Sequence, residues 1–441
     1  MSKVHFIGVG GIGMSALARY FLSEKWEVSG SDMARSPITD ALKKERVQIS
    51  LGHSVVNIPH NVDLVIYSAA IKPGNPELDT ARALQYKVQT YAEAVGGITR
   101  RHETIAVSGS HGKSTVTSLI ALLLLAAKLD PTILVGTNLR ELKGRNFRKG
   151  KGKYFVLEAD EYSRAFHNYY PEIAVLLNID NEHLDIYENL SGVITAFKTY
   201  IKNIRPGGYV IINVDDPNLK KIADAEARKK RIHVVRFSAP SVKRKLGIFG
   251  DHNQLNAEAA SQVAKILRIP KKTTDTVFAS YHGAWRRMEL LQNKISKIKS
   301  QKQKFDTLFY SDYAHHPTEI KATLKAFKKN FPGKKLVCVF EPHQADRLNR
   351  LFSDFVHSFD SADKLILLPI YKVAGRDEKG EYDAFDLAQS IRKKKRETYF
   401  APQWSDAERV LSRIANEKDT VIVFMGAGGI DENARNFLNK K

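Results

Sequence analysis

The stretch Gly109-Ser110-His111-Gly112-Lys113-Ser114-Thr115 joins an apolar, strand-like run, Thr104 to Val107, to an apolar, helix-like run, Val116 to Ala127. A Gly-rich turn that feeds a helix N-terminus is a phosphate cradle, because backbone N–H groups and the helix dipole converge on one anion. The glycines let the backbone approach, Lys113 supplies a cation for β- and γ-phosphates, and the Ser114 or Thr115 hydroxyl can reach a magnesium ion. Nucleoside triphosphate chemistry is the expectation. Val107 stands where the usual phosphate-loop spacing has its first glycine, so the match to the general motif is imperfect.

Working outward, Gly8-Val9-Gly10-Gly11-Ile12-Gly13 is a second Gly-rich turn between a strand and a helix, and Asp32 follows it at about the 20-residue separation of dinucleotide-binding units. On spacing alone the pattern says NAD. The physics says only that a diphosphate can rest on a helix N-terminus with an acid near a ribose, and a UDP-sugar carries the same groups. An NAD-dependent dehydrogenase is the rival reading, and the loop at 109 to 115 argues against it, since hydride transfer needs no ATP.

Strand-like runs (Val4 to Val9, Leu64 to Ser68, Thr104 to Ser108, Tyr154 to Glu158, Ile173 to Asn178, Tyr209 to Asn213, Leu336 to Phe340, Lys364 to Pro369, Thr420 to Met425) alternate with helical patterns. That alternation predicts an α/β fold of parallel sheets with crossover helices. Two phosphate-type turns predict two separate sheets and a boundary near residue 100. A second boundary is expected near Ala284 to Arg287, ahead of the Lys/Gln-rich stretch Asn293 to Lys304.

The 441 residues suffice for about three domains. With 43% hydrophobic and 27% charged residues the chain reads as globular. Its opening, Met-Ser-Lys-Val-His-Phe-Ile-Gly, reads as a strand entering glycines, neither a signal peptide nor a membrane span. Cys338 lies alone in an apolar run and reads as a core thiol, which suits a reducing cytoplasm. The net charge of +21 falls mostly beyond residue 100, in runs such as Arg140 to Lys153, Arg228 to Lys245, Lys294 to Lys304 and Arg392 to Arg396. These read as solvated loops and helix faces without the interleaved aromatics of a base-stacking platform, so no specific nucleic-acid partner is expected. Attraction of anionic nucleotide substrates accounts for the charge more simply.

Glu158-Ala159-Asp160-Glu161 closes a strand and places a carboxylate at its C-terminal end, where open α/β sheets bind ligands and where it can hold magnesium. His183, after the next strand, is a candidate second metal ligand. Asn253 and Asn256 lie three apart at a helix start, on one face, and suit the donor and acceptor edge of a base; helix capping is the plainer reading. Asp312-Tyr313-Ala314-His315-His316-Pro317-Thr318-Glu319 and Pro342-His343-Gln344-Ala345-Asp346-Arg347 each gather polar groups at a strand end. Adjacent histidines diverge and no further ligand set has zinc spacing, so anion recognition with Arg347 as a bidentate partner is expected there. Arg286 and Arg287 form a compact cationic pair, by default a solvated one.

Taken in order, these segments resemble the Mur ligases of peptidoglycan synthesis, most closely the members that act on UDP-N-acetylmuramate and L-alanine. The resemblance covers nearly the whole chain through Gly-Val-Gly-Gly-Ile-Gly-Met-Ser, Gly-Ser-His-Gly-Lys-Ser-Thr, Glu-Ala-Asp-Glu, Glu-His-Leu-Asp, Asp-His-Asn-Gln-Leu-Asn-Ala, Trp-Arg-Arg, Asp-Tyr-Ala-His-His-Pro-Thr-Glu and Glu-Pro-His-Gln-Ala-Asp-Arg. It implies a three-domain architecture. Residues 1–100 would form a Rossmann-like domain for the UDP portion of the substrate, 101–284 a central P-loop-type ATPase domain, and 285–441 a Rossmann-like domain that closes over amino acid and nucleotide.

The resemblance further implies that ATP and Mg2+ are used, with catalytic roles for Lys113, Glu158 and His183. Ser114, Glu158 and His183 would ligate magnesium. Gly109, Ser110, His111, Gly112, Lys113, Ser114, Thr115, Asn253, Asn256 and Asp312 would hold the nucleotide, Asp312 through its ribose. Gly10, Gly11, Gly13, Met14, Ser15 and Asp32 would meet the UDP-substrate, Arg287 would be a substrate contact, and Tyr313, His343 and Arg347 would form the amino-acid pocket. The implied reaction is amide formation through an acyl phosphate by a cytoplasmic monomer or homodimer. A peptide-recycling ligase of the same fold is the nearest alternative. Lys198 lies near the position where related ligases carry a carbamylated lysine, and no modification is assigned to it.

Overall fold

The computed structural model describes residues 1–180, 184–291, 307–371, 380–394, 397–415, 417 and 419–440. The chain forms two compact units, Met1–Lys245 with Leu255–Ser280, and Leu246–Gln254 with Tyr281–Lys441.

The first unit carries two sheets. β1 (Lys3–Ile7), β2 (Glu27–Asp32), β3 (Gln48–Leu51), β4 (Leu64–Tyr67) and β5 (Val88–Thr90) pair in the order β3-β2-β1-β4-β5, all parallel. β6 (Glu103–Ser108), β7 (Thr132–Leu139), β8 (Arg145–Arg148), β9 (Tyr154–Glu158), β10 (Ile173–Leu176), β11 (Tyr209–Asn213) and β12 (His233–Phe237) pair in the order β12-β11-β10-β6-β9-β7-β8. Its central strands are buried on both faces, as helix-covered parallel strands must be, which is why Ile105, Val107, Val156 and Val175 form unbroken apolar runs. The two Gly-rich turns thus follow β1 and β6, in different sheets.

The polar run Arg140 to Lys153 departs from the expected loop. It contains β8, which pairs antiparallel with β7. Asn146 and Phe147 are buried against the helix Ile12–Ser23, and the Asn146 amide donates to the Ile12 carbonyl at 2.6 Å. Arg228 to Lys245 similarly holds β12, parallel to β11. Charged and polar residues hid both strands: β8 reads Arg-Asn-Phe-Arg and β12 His-Val-Val-Arg-Phe, and each lies at a sheet edge, where charge is tolerated.

The second unit holds β13 (Glu289–Leu290), β14 (Leu308–Asp312), β15 (Lys335–Phe340), β16 (Lys364–Leu367), β17 (Glu397–Phe400) and β18 (Thr420–Met425), in the order β13-β14-β18-β15-β16-β17 and parallel except β13 with β14. Cys338 lies fully buried in β15, and burial pushes its thiol well above the ordinary range. The Lys/Gln-rich stretch Asn293 to Lys304 lies outside the described residues. No described helix is long and apolar enough to cross a membrane.

Candidate active site

Because β10, β6 and β9 are parallel neighbours, their C-terminal ends meet at one edge, and the turn after β6 lies between the carboxylates after β9 and the polar residues after β10. Gly109 and Gly112 have φ of 143° and 88°, conformations that favour glycine, and Gly112 delivers the chain into the helix Lys113–Ala126. A Cβ on Gly112 would lie 2.6 Å from Asn256 Oδ1, so Asn256 packs directly on the cradle.

The turn is braced from β10. The Asn178 side chain accepts from the His111 N–H at 2.8 Å and donates to the His111 carbonyl at 3.0 Å. Ser110 N–H donates to the Asn178 carbonyl at 3.2 Å, Asp180 N–H donates to Ser110 Oγ at 2.9 Å, and the Asp180 carboxylate meets His111 Nε2 at 3.0 Å.

Lys113 Nζ donates to the Gly109 carbonyl at 2.8 Å and to both oxygens of Glu161 at 3.0 Å. Ser114 Oγ donates to Glu158 Oε2 at 3.2 Å, while Gly136 N–H donates to Glu158 Oε1 at 2.7 Å. A hydroxyl and a carboxylate oxygen in contact at a helix N-terminus form a hard-oxygen donor set, which fits magnesium held partly by protein and partly by phosphate. Thr115, the alternative hydroxyl, is buried beside Ser114. His183 lies outside the described residues. Lys198 is exposed on the helix Leu190–Ile201.

The turn after β1 is held by β2. Gly8 and Val9 N–H groups donate to the Ser31 carbonyl at 2.9 and 3.0 Å, and Gly10 N–H donates to Asp32 Oδ2 at 2.7 Å. Asp32 therefore braces the turn directly. Gly11 precedes the helix Ile12–Ser23, which has no side-chain cap and no acidic residue in its first turn, leaving a cationic helix end. Gly13 packs against Tyr91, whose hydroxyl would be 2.9 Å from a Cβ there. Met14 and Ser15 are buried, and the Ser15 hydroxyl donates to the Ile12 carbonyl at 2.9 Å, so both side chains seat the helix.

Beneath this turn lies a buried polar cluster. Glu77, fully buried, accepts from Ser31 Oγ at 2.6 Å, Asn57 Nδ2 at 2.6 Å and Ser54 N–H at 3.1 Å, and meets His5 Nε2 at 3.2 Å. Burial alone would raise its pKa, but these hydrogen bonds outweigh it and hold the group down to about 2.

In the second unit Asp312 ends β14 and accepts from Met288 N–H at 2.8 Å and Ala314 N–H at 2.9 Å. Burial raises its pKa to about 6 against the opposing pull of Arg287. Asn253 donates to the Phe249 carbonyl at 2.7 Å and to Met288 Sδ at 3.3 Å, so Met288 links Asn253 to Asp312. The Tyr313 ring has the Arg287 guanidinium at 4.8 Å and that of Arg286 at 5.0 Å from its centroid. His315 meets Tyr313 edge-on, and His343 stacks on Tyr371 with centroids 5.7 Å apart. Arg347 Nη1 is buried with no hydrogen-bond partner among the described residues.

The structure corrects the default reading of Arg286 as solvated. It is 7% exposed, with its guanidinium donating to the Gly426 carbonyl and, at 3.0 Å, to that of Gly428. His316 caps the helix Pro317–Asn330, so the adjacent histidines do diverge. Sequence reasoning left Glu161, Asn178, Asp180, Gly136, Met288 and Tyr371 without roles. Glu161 stood within an already quoted motif, Asn178 ends a recognised strand-like run and Asp180 comes just after it; the other three act through backbone or packing and leave no motif.

Residues 3–103 match the Mur ligase family, catalytic domain; 107–246 match the Mur ligase middle domain; and 286–428 match the Mur ligase, glutamate ligase domain. The chain is 38% identical over 464 residues to the UDP-N-acetylmuramate–L-alanine ligase of Clostridium acetobutylicum, covering 99% of this chain and 98% of that one. It is 35% identical over 466 residues to the enzyme of the same name from Aquifex aeolicus, covering 100% and 98%. Among solved structures it is similar to the UDP-N-acetylmuramate-alanine ligase of Thermotoga maritima, with a TM-score of 0.82 at 26% identity and coverage of 100% of this chain and 99% of that one.

Proposed function

From the premise that the chain belongs to the Mur ligase family, we propose that it is the ATP-dependent ligase joining L-alanine to the lactyl carboxylate of UDP-N-acetylmuramate. The observation that carries the reading in this chain is the convergence of Lys113, Ser114 and Glu158 on a Gly-rich turn with an open helix N-terminus. The glycine fingerprint at Gly8 to Gly13 belongs to a stretch matched by a Mur ligase domain, which leaves the dehydrogenase reading without support.

In this reading residues 1–100 hold the UDP portion, 101–284 the ATP, and 285–441 the amino acid and nucleotide. The substrate diphosphate rests on the turn that Asp32 and Ser31 brace, against the N-terminus of the helix Ile12–Ser23. Gly109 to Gly112 cradle the ATP phosphates, and Lys113 turns from Glu161 to the β- and γ-phosphates. Ser114 and Glu158, with His183 as the third member proposed from the resemblance, hold Mg2+, which when bound neutralises phosphate charge and polarises the transferring group. The lactyl carboxylate attacks the γ-phosphorus, ADP leaves, and an acyl phosphate forms. The alanine amine then attacks the acyl carbon, expels inorganic phosphate and loses a proton, leaving the amide. Lys113 stabilises equatorial oxygen charge as the phosphoryl group moves. Asn253, Asn256 and Asp312 meet the adenosine, Arg287 the UDP-substrate, and Tyr313, His343 and Arg347 the alanine carboxylate.

The test is phosphate release from ATP and Mg2+ with UDP-N-acetylmuramate and, in turn, no amine, L-alanine, glycine, L-serine or L-alanyl-D-glutamyl-diaminopimelate, with product mass read in each case. Release that requires both UDP-N-acetylmuramate and L-alanine, with the matching amide mass, is the expected result. Release with the peptide alone moves the assignment to the peptide-recycling ligase, and none with any amine overturns the ligase reading.

A further inference from the structure

Tyr91 opens the helix Tyr91–Thr99, which follows β5. Its ring packs against the core of the first unit while the side chain remains partly exposed. Two contacts define its place. Its hydroxyl, Cζ and Cε2 lie 2.9, 3.0 and 3.3 Å from the position of a Cβ on Gly13, so the phenol touches the backbone of the diphosphate turn. On the other side it is within electrostatic reach of the carboxylates of Glu158 and Asp160, at the end of β9. The side chain therefore stands on the turn after β1, with the carboxylates after β9 near enough to act on it electrostatically.

Its hydroxyl has no hydrogen-bond partner among the described residues. The side chain is only partly buried, so the hydroxyl is open to solvent and to a ligand alike. It is presented unpaired between two sites that a single substrate must bridge. The UDP diphosphate sits at Gly8 to Gly13, and the lactyl carboxylate must reach the γ-phosphate beside Lys113 and Glu158, so the sugar that joins them passes the phenol.

We propose that Tyr91 is a substrate-contact residue whose hydroxyl hydrogen-bonds the lactyl-bearing sugar of the substrate between the diphosphate turn and the phosphoryl-transfer site. The inference deepens the ligase reading and rests on it. Burial, reinforced by the negative charges of Glu158 and Asp160, raises the phenol above its ordinary pKa. Tyr91 thus remains a neutral donor throughout the working pH range and serves to recognise and hold, not to abstract a proton.

The experiment measures binding of UDP and of UDP-N-acetylmuramate by calorimetry to the full-length wild type, Tyr91→Phe and Tyr91→Ala, with KM values for UDP-N-acetylmuramate, ATP and L-alanine and a thermal midpoint for each. Tyr91→Phe keeps the ring against Gly13 and removes only the hydroxyl. It is expected to weaken UDP-N-acetylmuramate about three- to tenfold, with UDP affinity, the KM for ATP and the midpoint unchanged. Equal binding of UDP-N-acetylmuramate by Tyr91→Phe and wild type overturns the inference, as does an equal loss for UDP and UDP-N-acetylmuramate, which would place the effect in the turn alone. Wild type that binds UDP but not UDP-N-acetylmuramate overturns the ligase reading itself, and the inference with it.

Discussion

Glu161 holds the ammonium of Lys113 through both carboxylate oxygens at 3.0 Å, and its side chain is only 1% exposed. The lysine proposed to meet the ATP phosphates is thus held on a buried carboxylate. Removing one member of a buried pair leaves an uncompensated charge and typically costs about 3–5 kcal/mol, whereas removing both charges can be nearly neutral. Lys113→Met is therefore expected to lower the thermal midpoint markedly, and Lys113→Met/Glu161→Gln to recover most of the loss, with phosphate release abolished in both. Equal midpoints for the single and double variants would show that the pair stores no such energy.

Glu158 is engaged by Ser114 on one oxygen and by the Gly136 N–H on the other. The Gly136 N–H, which aims the carboxylate, is a supporting contact of the kind whose loss weakens metal binding about 10- to 100-fold. Replacing the carboxylate proposed as the ligand should do at least as much. Glu158→Gln is expected to raise the Mg2+ concentration for half-maximal phosphate release by at least about tenfold and to leave UDP binding unchanged. A magnesium titration of wild type and variant reads this directly, and superimposable curves would remove Glu158 from the metal site.

Glu77 gives the first unit an acid-sensitive element. Its pKa falls from an ordinary 4.5 to about 2 in the folded chain. A depressed carboxylate adds stability that is complete above the unfolded value and is lost as pH falls from about 4.5 through about 2. Glu77→Gln keeps the shape and loses the charge, so it should be less stable than wild type at pH 7 by on the order of 2 kcal/mol. The gap should close on acidification through that window. Thermal midpoints of both proteins from pH 7 down to the acid limit of folding test this, and a gap independent of pH would rule out the carboxylate as its cause.

How much of this could be read from the chain follows from what each element depends on. β1, β6, β9, β10, β11, β15 and β18 are buried on both faces, and burial forces apolar runs that any reading of the sequence finds. β8 and β12 are edge strands; they are held by pairing with β7 and β11 and by groups such as Asn146 and Phe147 that only the folded chain brings to the helix Ile12–Ser23. The Gly-rich turn after β6 was legible because glycines at φ of 143° and 88° cannot be exchanged freely. Its bracing by Asn178 and Asp180 was not, because that depends on β10 lying next to β6, a fact of topology. Arg286 was misread for the same reason, since the carbonyls of Gly426 and Gly428 that bury it lie far along the sequence.

Asp312 titrates in the opposite sense to Glu77. Burial raises it from an ordinary 3.8 to about 6, although Arg287 and the N–H groups of Ala314 and Met288 favour the charged form; Glu319 adds to the rise. The folded chain therefore binds this proton more tightly than the unfolded chain. The associated stability is complete below about 3.8 and is lost as pH rises through about 6. Asp312→Asn titrates nothing, and so should gain on wild type across that interval by on the order of 2 kcal/mol. Its absolute stability also reflects the changed bond to Met288 or Ala314, so the informative quantity is the pH dependence of the difference. Paired thermal midpoints between pH 3.5 and pH 7, the interval chosen to span about 3.8 to about 6, supply it. A difference that stays flat, or that moves in favour of wild type as pH rises, would mean that the carboxylate is not held against its charge by burial.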